Sequence, residues 1–229
     1  MITEINTPDQ LKQRPDIIER LNRLAMESEE ALDTNLKRGG ARLKTRLSRE
    51  QTWQVTESFI DSMADGKTTI LVAEEGGKPQ ALIGFIKNRE DIAERLGIEN
   101  NYIMFFKALT ERECRGTGIF KELLAYAMKD QQDPLVIGCV SNKKAITDEG
   151  VEFDHVMNLD MYASMMLKLY PDSKLQVRSQ SPMGRQYGHE KFDLKDFIEN
   201  RTVNQSAVQR IINERDDDKR QIGFYVHSK

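Results

Sequence analysis

Residues 102–140 place a helix pattern between two apolar strand patterns, and this order restricts the folds open to the chain. Tyr102–Leu109 (YIMFFKAL) and Pro134–Val140 (PLVIGCV) are the two predicted strands, and the second is apolar throughout, as expected for a buried strand. Ile119–Lys129 between them has apolar residues at helical spacing. A helix that connects two strands in this way crosses over one face of a sheet.

A predicted hairpin adds antiparallel pairing to that crossover. Thr68–Ala73 (TTILVA) is β-branched and apolar, Gln80–Lys87 (QALIGFIK) has the same character, and the glycine turn EEGGKP joins them. The combination of hairpin and crossover predicts a mixed α/β sheet with helices on both faces.

Two helices are expected before the hairpin. Residues 2–5 (ITEI) suit a short first strand, and Thr7-Pro8-Asp9-Gln10 has the N-cap, the proline and the glutamine that start a helix. Its apolar spacing predicts a helix that runs to about residue 35, and Gly39-Gly40 ends it. The SREQ segment at Ser48 opens a second helix.

The later part of the chain is predicted less completely. Arg89–Leu96 suits one or two helical turns, and residues 141–160 are polar and unassigned. Further elements are expected as a helix at Met161–Tyr170, a strand at Lys174–Arg178, a helix near Val203–Glu214 and a final strand at Gln221–His227. We expect one domain over residues 1–229, with a polar insertion at about 141–160 and a late excursion at about 179–220.

Composition excludes several classes of protein. The chain has 229 residues with 34 Lys+Arg against 37 Asp+Glu, and a net charge of -3 does not suit a strongly basic nucleic-acid binder. The 2 cysteines and 3 histidines form neither a disulfide framework nor a local metal motif, so no metal is expected. The N-terminus lacks a secretory signal and no run approaches the length of a membrane span, which predicts a cytoplasmic protein without a membrane partner.

The segment Ala108–Leu124 (ALTERECRGTGIFKELL) carries the chemical signal of the sequence. A strand leads into Arg115-Gly116-Thr117-Gly118-Ile119, and a helix follows directly. Glycines let backbone N–H groups converge on a bulky anion, and the first turn of the following helix favours phosphate. Arg115 can add a charged hydrogen-bond fork to the same phosphate. An ordinary glycine turn between strand and helix is the alternative interpretation.

This segment resembles the GNAT superfamily of acyl-CoA-dependent N-acyltransferases. That family places R/Q-x-x-G-x-G/A between its fourth strand and third helix to bind the cofactor pyrophosphate. Here the pattern falls on residues 115–120, where Arg115 and Gly118 fit and Phe120 replaces the small final residue. The order of elements from residue 2 to 140, with the two late strands, is also similar. The resemblance implies a mostly antiparallel central sheet that splays between its fourth and fifth strands.

The resemblance also implies a function. It is the direct transfer of an acetyl group from acetyl-CoA to a primary amine, which is either a small molecule or a protein. Backbone donors near the end of the fourth strand would polarise the thioester. The implied cofactor-binding residues are Ala108, Leu109, Thr110, Arg115, Gly116, Thr117, Gly118, Ile119, Phe120 and Asn142.

The resemblance points less directly to the acid and base. Glu99 and Tyr102 lie where some relatives place a base or a residue that orients water. The family's N-x-x-A-x-x-L-Y run is split here: Asn142 matches its beginning and Tyr170 its end. Tyr170 is the predicted donor of a proton to the departing thiolate. Structural roles for all three candidates remain open.

Two charged stretches lead to opposite expectations for the acceptor. Lys37–Arg49 has six basic residues and no acid, which favours an acidic partner or the cofactor phosphate. Asp148–Asp160 has five acids and no Lys or Arg, which favours a cationic amine. We expect residues 141–160 to set the choice of a cationic acceptor. The alternatives are a binding module of the same fold without turnover, and an adaptor that binds an acidic partner through residues 37–49. Nucleic acid is not the expected partner.

Overall fold

The computed structural model describes residues 1–63, 68–132, 134–156, 163–164, 166–168, 172–180, 186–200 and 221–227. The chain divides into two compact units. The first unit contains Met1–Ile86, Lys107–Lys129 and Lys144–Phe153, and the second contains Lys87–Phe106, Asp130–Lys143 and Asp154–Lys229. The single domain expected over residues 1–229 stays an expectation.

The first unit contains the predicted hairpin. β1 (Ile2–Ile5) pairs antiparallel with β3 (Thr69–Glu75), and β3 pairs antiparallel with β4 (Lys78–Lys87). Gly76 and Gly77 form the turn with φ of 57° and 74°, which two-residue hairpin turns require and which glycine adopts without strain. The hairpin prediction is confirmed.

The N-terminal helix differs from its prediction. Two helices, α1 (Pro8–Lys12) and α2 (Pro15–Arg38), replace the expected single helix from residue 7 to about 35. Pro15 is the cause, because proline has no N–H for a helix interior but fits the first position of a new helix. The capping boxes at Thr7 and at Ser48, which starts α3 (Arg49–Ser62), are both confirmed.

A short strand that the sequence did not reveal, β2 (Ala41–Leu43), follows α2. It pairs antiparallel with the end of β6 (Leu135–Thr147), in the register Ala41↔Thr147 to Leu43↔Ala145. The first seven of the unassigned residues 141–160 therefore continue a strand, and β7 (Glu152–Val156) covers five more. β7 pairs with β6.

The second unit contains a mixed sheet. β5 (Tyr102–Thr110) and β6 pair in parallel from Tyr102↔Leu135 to Phe105↔Gly138. β10 (Gln221–His227) pairs antiparallel with β6 and with β8 (Lys174–Gln180). β9 (Gln186–Asp193) pairs antiparallel with β8. The predicted mixed α/β fold is confirmed. Because β2 precedes them, the expected fourth and fifth strands are β5 and β6, and their splay stays an expectation.

The remaining described helices are short. They are, in chain order, α4 (Glu90–Leu96), α5 (Ile119–Met128) and α6 (Leu194–Glu199). The first two of these helices were predicted. β9 and α6 lie within the late excursion of about 179–220. Neither of these two elements was predicted from the sequence. The helix expected near Val203–Glu214 lies outside the described residues. Of the helix expected at Met161–Tyr170, only residues 163–164 and 166–168 are described. No helix among the described residues is long and apolar enough to cross a membrane.

Candidate functional site

Residues 111–118, which we call the glycine loop, connect β5 with α5 in the first unit. Arg112–Cys114 form one 3-10 turn, in which the N–H of Cys114 donates to Glu111 O at 3.0 Å. The hydroxyl of Thr117 donates to Cys114 O at 2.7 Å. These bonds within the loop hold its backbone in a defined conformation.

Both glycines of the loop have a backbone conformation that other residues rarely adopt. The φ angle is 82° at Gly116 and 91° at Gly118, and Gly118 is the N-cap of α5. A Cβ at either position would meet no atom within 4 Å, so conformation rather than crowding calls for glycine. Residues 115–118 are exposed, and the N–H groups of the first turn of a helix lack acceptors within the helix. An anion of phosphate size fits this arrangement chemically.

Arg115 and the end of β5 flank the glycine loop. The side chain of Arg115 is exposed, and its Nε donates to Thr110 O at 3.3 Å. Ala108, Leu109 and Thr110 are half-buried at the end of β5, and Ile119 and Phe120 are half-buried at the start of α5. The predicted cofactor-binding residues from 108 to 120 thus form one continuous strand–loop–helix segment.

Glu111, which is not among the predicted site residues, anchors the glycine loop. Its side chain is buried, with 5 % exposed. The carboxylate accepts hydrogen bonds from Arg20 Nε and, at 2.6 Å, from Arg23 Nη2, both on α2. Its N–H donates to Gln80 O at 2.8 Å. An acid directly between a strand and a glycine turn was the available signal, but its partners lie far away in the sequence.

Cys114 provides a second tie between the loop and β4. Its Sγ donates to Gln80 Oε1 at 2.6 Å. Gln80 therefore binds the glycine loop twice, with its carbonyl oxygen at Glu111 and its side chain at Cys114. The loop is attached to β4 at both ends of its 3-10 turn.

The candidates for acid and base lie in the second unit. Tyr102 is fully buried, and its hydroxyl donates to Arg89 O and accepts from Arg89 N–H, each at 3.2 Å. Burial raises the pKa of Tyr102 above its ordinary value, although the hydrogen bond with the Arg89 backbone opposes this shift. Glu99 is exposed in the loop before β5, and Asn142 lies within β6. Tyr170 lies outside the described residues, and the roles of all four stay predictions.

The two charged stretches meet in the first unit. Pairing of β2 with β6 brings them side by side, and Lys44 Nζ lies 2.5 Å from Glu152 Oε1. Lys37 and Arg46 lie 2.8 and 3.6 Å from Asp33 Oδ2. Half of the six basic residues of Lys37–Arg49 therefore face carboxylates of the same chain. The acidic stretch lacks basic residues in sequence, but the fold supplies one to Glu152.

Asp33 connects α2 with β2, and it predicts a dependence of stability on pH. Its side chain is buried, and Oδ1 accepts the N–H of Leu43 at 3.0 Å. The hydrogen bond from Lys37, followed by that from Leu43, lowers the pKa of Asp33 below its ordinary value of 3.8. Because the folded pKa is lowered, this stabilisation is present above pH 3.8 and is lost as the pH falls through the folded pKa.

We expect Asp33→Asn to lower the free energy of unfolding at neutral pH by about 2 kcal/mol, since charge-assisted hydrogen bonds contribute on this scale. The loss should shrink as the pH falls from 3.8 through the lowered folded pKa, because the wild-type carboxylate is protonated first in the unfolded and then in the folded protein. Urea unfolding at several pH values measures both effects. Asp61→Asn, at an exposed position of α3, is the control. A difference between Asp33→Asn and wild type that is the same at every pH would contradict the assignment.

No protein-family model matches this chain, and no curated protein is similar to it in sequence. Three solved structures similar to it come from Corynebacterium glutamicum, Paenibacillus lautus and Ralstonia eutropha.

The first is a histone acetyltransferase HPA2 and related acetyltransferase, 12 % identical, with a TM-score of 0.45 over 83 % of this chain and 92 % of that one. The second is the diaminobutyrate acetyltransferase EctA with its substrate and coenzyme A, 11 % identical, with a TM-score of 0.42 over 100 % and 95 %. The third is a GCN5-related N-acetyltransferase, 18 % identical, with a TM-score of 0.35 over 57 % and 74 %. Each of these three proteins is an acetyltransferase by its name.

Proposed function

We propose that this protein binds acetyl-CoA through the glycine loop and transfers the acetyl group to a primary amine. One observation carries the proposal: Gly116 and Gly118 both have positive φ and are exposed at the N-terminus of α5, in the loop that connects it with β5. The pyrophosphate would bind there, where free N–H groups and the helix dipole favour negative charge. Arg115, which is exposed at the same loop, would add a charged hydrogen bond.

The reaction needs donors that stabilise the oxygen of the thioester. Acetyl-CoA would supply an activated acyl group: the amine nitrogen bonds to the carbonyl carbon, the C–S bond breaks, and the thiolate takes a proton. Ala108, Leu109 and Thr110 would provide the backbone N–H groups, since they end β5 directly before the glycine loop. Backbone donors of this kind lower a barrier by about 3 kcal/mol each.

The acceptor would bind near residues 141–160 and be cationic. Asp148 and Glu149 are exposed at the turn between β6 and β7, where a cation could reach them. Glu152 would contribute less, because Lys44 already neutralises it. Acceptor selection would therefore depend more on Asp148 and Glu149 than on the number of acids in the stretch.

Calorimetric titration and thermal unfolding with acetyl-CoA test the first half of the proposal. For a micromolar site at millimolar ligand we expect a stabilisation of about 4 kcal/mol. S-acetylpantetheine, which has the thioester but no phosphates, is the matched control and should stabilise much less. Absence of stabilisation by acetyl-CoA would reject the proposed site.

Release of free thiol with a panel of amines tests the second half. Diamines, polyamines, aminoglycosides and lysine peptides should include an acceptor whose addition releases coenzyme A. A binding module without turnover is the second candidate. The hydroxyl of Tyr102 favours it, because its hydrogen bonds with the N–H and the carbonyl oxygen of Arg89 give this candidate base a structural role. Binding of acetyl-CoA without thiol release for any amine would select that module.

A further inference from the structure

β4 has one residue more than β3 at the end of their ladder that lies next to the hairpin turn. Ala81 pairs with Ala73. Two positions earlier on β4, Pro79 pairs with Glu74, which is only one position later on β3. Gln80 therefore stands between the two pairs as the extra residue of a β-bulge. Proline favours a bulge because it has no N–H for the ladder, and a bulge changes the direction in which a side chain points.

Gln80 directs both of its carbonyl oxygens to the glycine loop. β5, which leads into that loop, lies next to β4 on the side opposite β3. Gln80 O accepts the N–H of Glu111 at 2.8 Å, and Gln80 Oε1 accepts from Cys114 Sγ at 2.6 Å. The side-chain nitrogen, Nε2, donates to Lys78 O at 3.4 Å. This third contact orients the amide so that its oxygen faces Cys114.

The position of Cys114 affects the part of the loop that is proposed to bind phosphate. Cys114 O accepts both the hydroxyl of Thr117, at 2.7 Å, and the N–H of Thr117, at 3.4 Å. Thr117 lies between Gly116 and Gly118, which have the largest conformational freedom of all residue types. The arrangement of the N–H groups around these glycines therefore depends on what holds Cys114. A loop that is already ordered binds an anion more tightly than one that must be ordered on binding.

We infer that Gln80 is a positioning residue for the binding of acetyl-CoA. From the bulge of β4 it holds Cys114, and through Cys114 and Thr117 it keeps the N–H groups of the glycine loop in the arrangement that binds the pyrophosphate. Gln80 would act through the loop and would not contact the cofactor. This role rests on the proposed function, because it concerns the same loop. Loss of the Gln80 amide should therefore weaken binding of the phosphates and leave binding of the thioester arm unchanged.

Gln80→Met removes the acceptor for Cys114 and keeps the length of the side chain. Calorimetric titration, well below the melting temperature of each variant, should give an affinity for acetyl-CoA about five-fold lower than that of the wild type, the effect of one lost hydrogen bond. The affinity for S-acetylpantetheine, which has no phosphates, should not change. Gln54→Met, the same substitution at an exposed position of α3, is the control and should bind both compounds as the wild type does.

Variants of Cys114 test whether Gln80 acts through this residue. Cys114→Ala should lower the affinity for acetyl-CoA as much as Gln80→Met does. The double variant should lose no more than either single one, because all three lack the same hydrogen bond. Cys114→Ser keeps a donor for the Gln80 amide and should retain most of the wild-type affinity. A role in stability alone would not produce this pattern in the affinities.

Hydrogen exchange measures the hold on the loop without any ligand. In Gln80→Met, the peptide that contains residues 111–118 should exchange several-fold faster than in the wild type, because the loop opens more often. Gln54→Met should leave this exchange unchanged.

The possible failures are distinct. Absence of acetyl-CoA binding by the wild type would reject the proposed function and the role of Gln80 with it. Binding by the wild type with the same affinity in Gln80→Met would reject the role of Gln80 alone. Additive losses in the double variant, an equal loss for S-acetylpantetheine, or loop exchange as slow as in the wild type would also reject this role.

Discussion

Gly118→Glu is expected to lower the affinity for acetyl-CoA by about a hundred-fold or more. Two effects add. A non-glycine residue at a φ of 91° costs about 1–2 kcal/mol, and the new carboxylate would stand at the N-terminus of α5, where the phosphate is proposed to bind. Repulsion between two anions at such short range accounts for the rest, since about 2.7 kcal/mol corresponds to a hundred-fold. Calorimetric titration with acetyl-CoA measures the loss.

Gly118→Gln separates charge from conformation. Glutamine has the size of glutamate and the same backbone strain, so its loss of affinity should be about ten-fold. Gly77→Glu places a similar strain, at a φ of 74°, in the hairpin turn and should leave affinity unchanged. Equal losses in Gly118→Glu and Gly118→Gln would contradict a phosphate at this helix end, and wild-type affinity in both would remove the glycine loop from the proposed site.

Glu111→Gln is expected to lower the free energy of unfolding by about 2–3 kcal/mol. The carboxylate is buried and holds two arginines, so its loss leaves both cations without their common partner. The estimate lies below that for fully buried pairs because Arg20 and Arg23 are 23 % and 50 % exposed, and water solvates them in part. Urea unfolding measures the change.

The affinity for acetyl-CoA should fall in the same variant, since Glu111 fixes the start of the glycine loop. Glu113→Gln, two residues further on and exposed, is the matched control and should change stability by less than about 0.5 kcal/mol. Equal stabilities of Glu111→Gln and Glu113→Gln would show that the Arg20–Glu111–Arg23 cluster does not hold the loop.

Local signals made much of the fold predictable. The β3–β4 hairpin follows from two adjacent glycines between β-branched segments, and α3 begins where the SREQ capping box predicts. Pro15, where α2 begins after α1, was also a local signal, but the apolar spacing that follows it led to the prediction of one continuous helix. In each case the residues that determine the conformation lie within a few positions of one another.

The strands without such signals were missed. β2 has only three residues, and the end of β6 is polar, so neither has the alternation or the apolar run that predicts a strand. Their pairing satisfies backbone groups of residues far apart in the chain, and no periodicity within either segment encodes it. The same pairing brings Lys44 next to Glu152. The net charges of the two stretches had led to opposite expectations for the partner, but here the two side chains form an ion pair with each other.

The sequence by itself determined the mixed α/β class and the position of the glycine loop, because propensity, capping and the φ required of Gly116 and Gly118 are properties of neighbouring residues. Only the tertiary structure decided what holds that loop and what neutralises the charged stretches. Glu111 meets arginines 91 and 88 positions away, and Asp33 meets Leu43 and Arg46 across the end of α2. A buried charge is unfavourable without a partner of opposite charge or a hydrogen bond. Folding provides these partners from residues that are distant in the sequence but close in the folded chain.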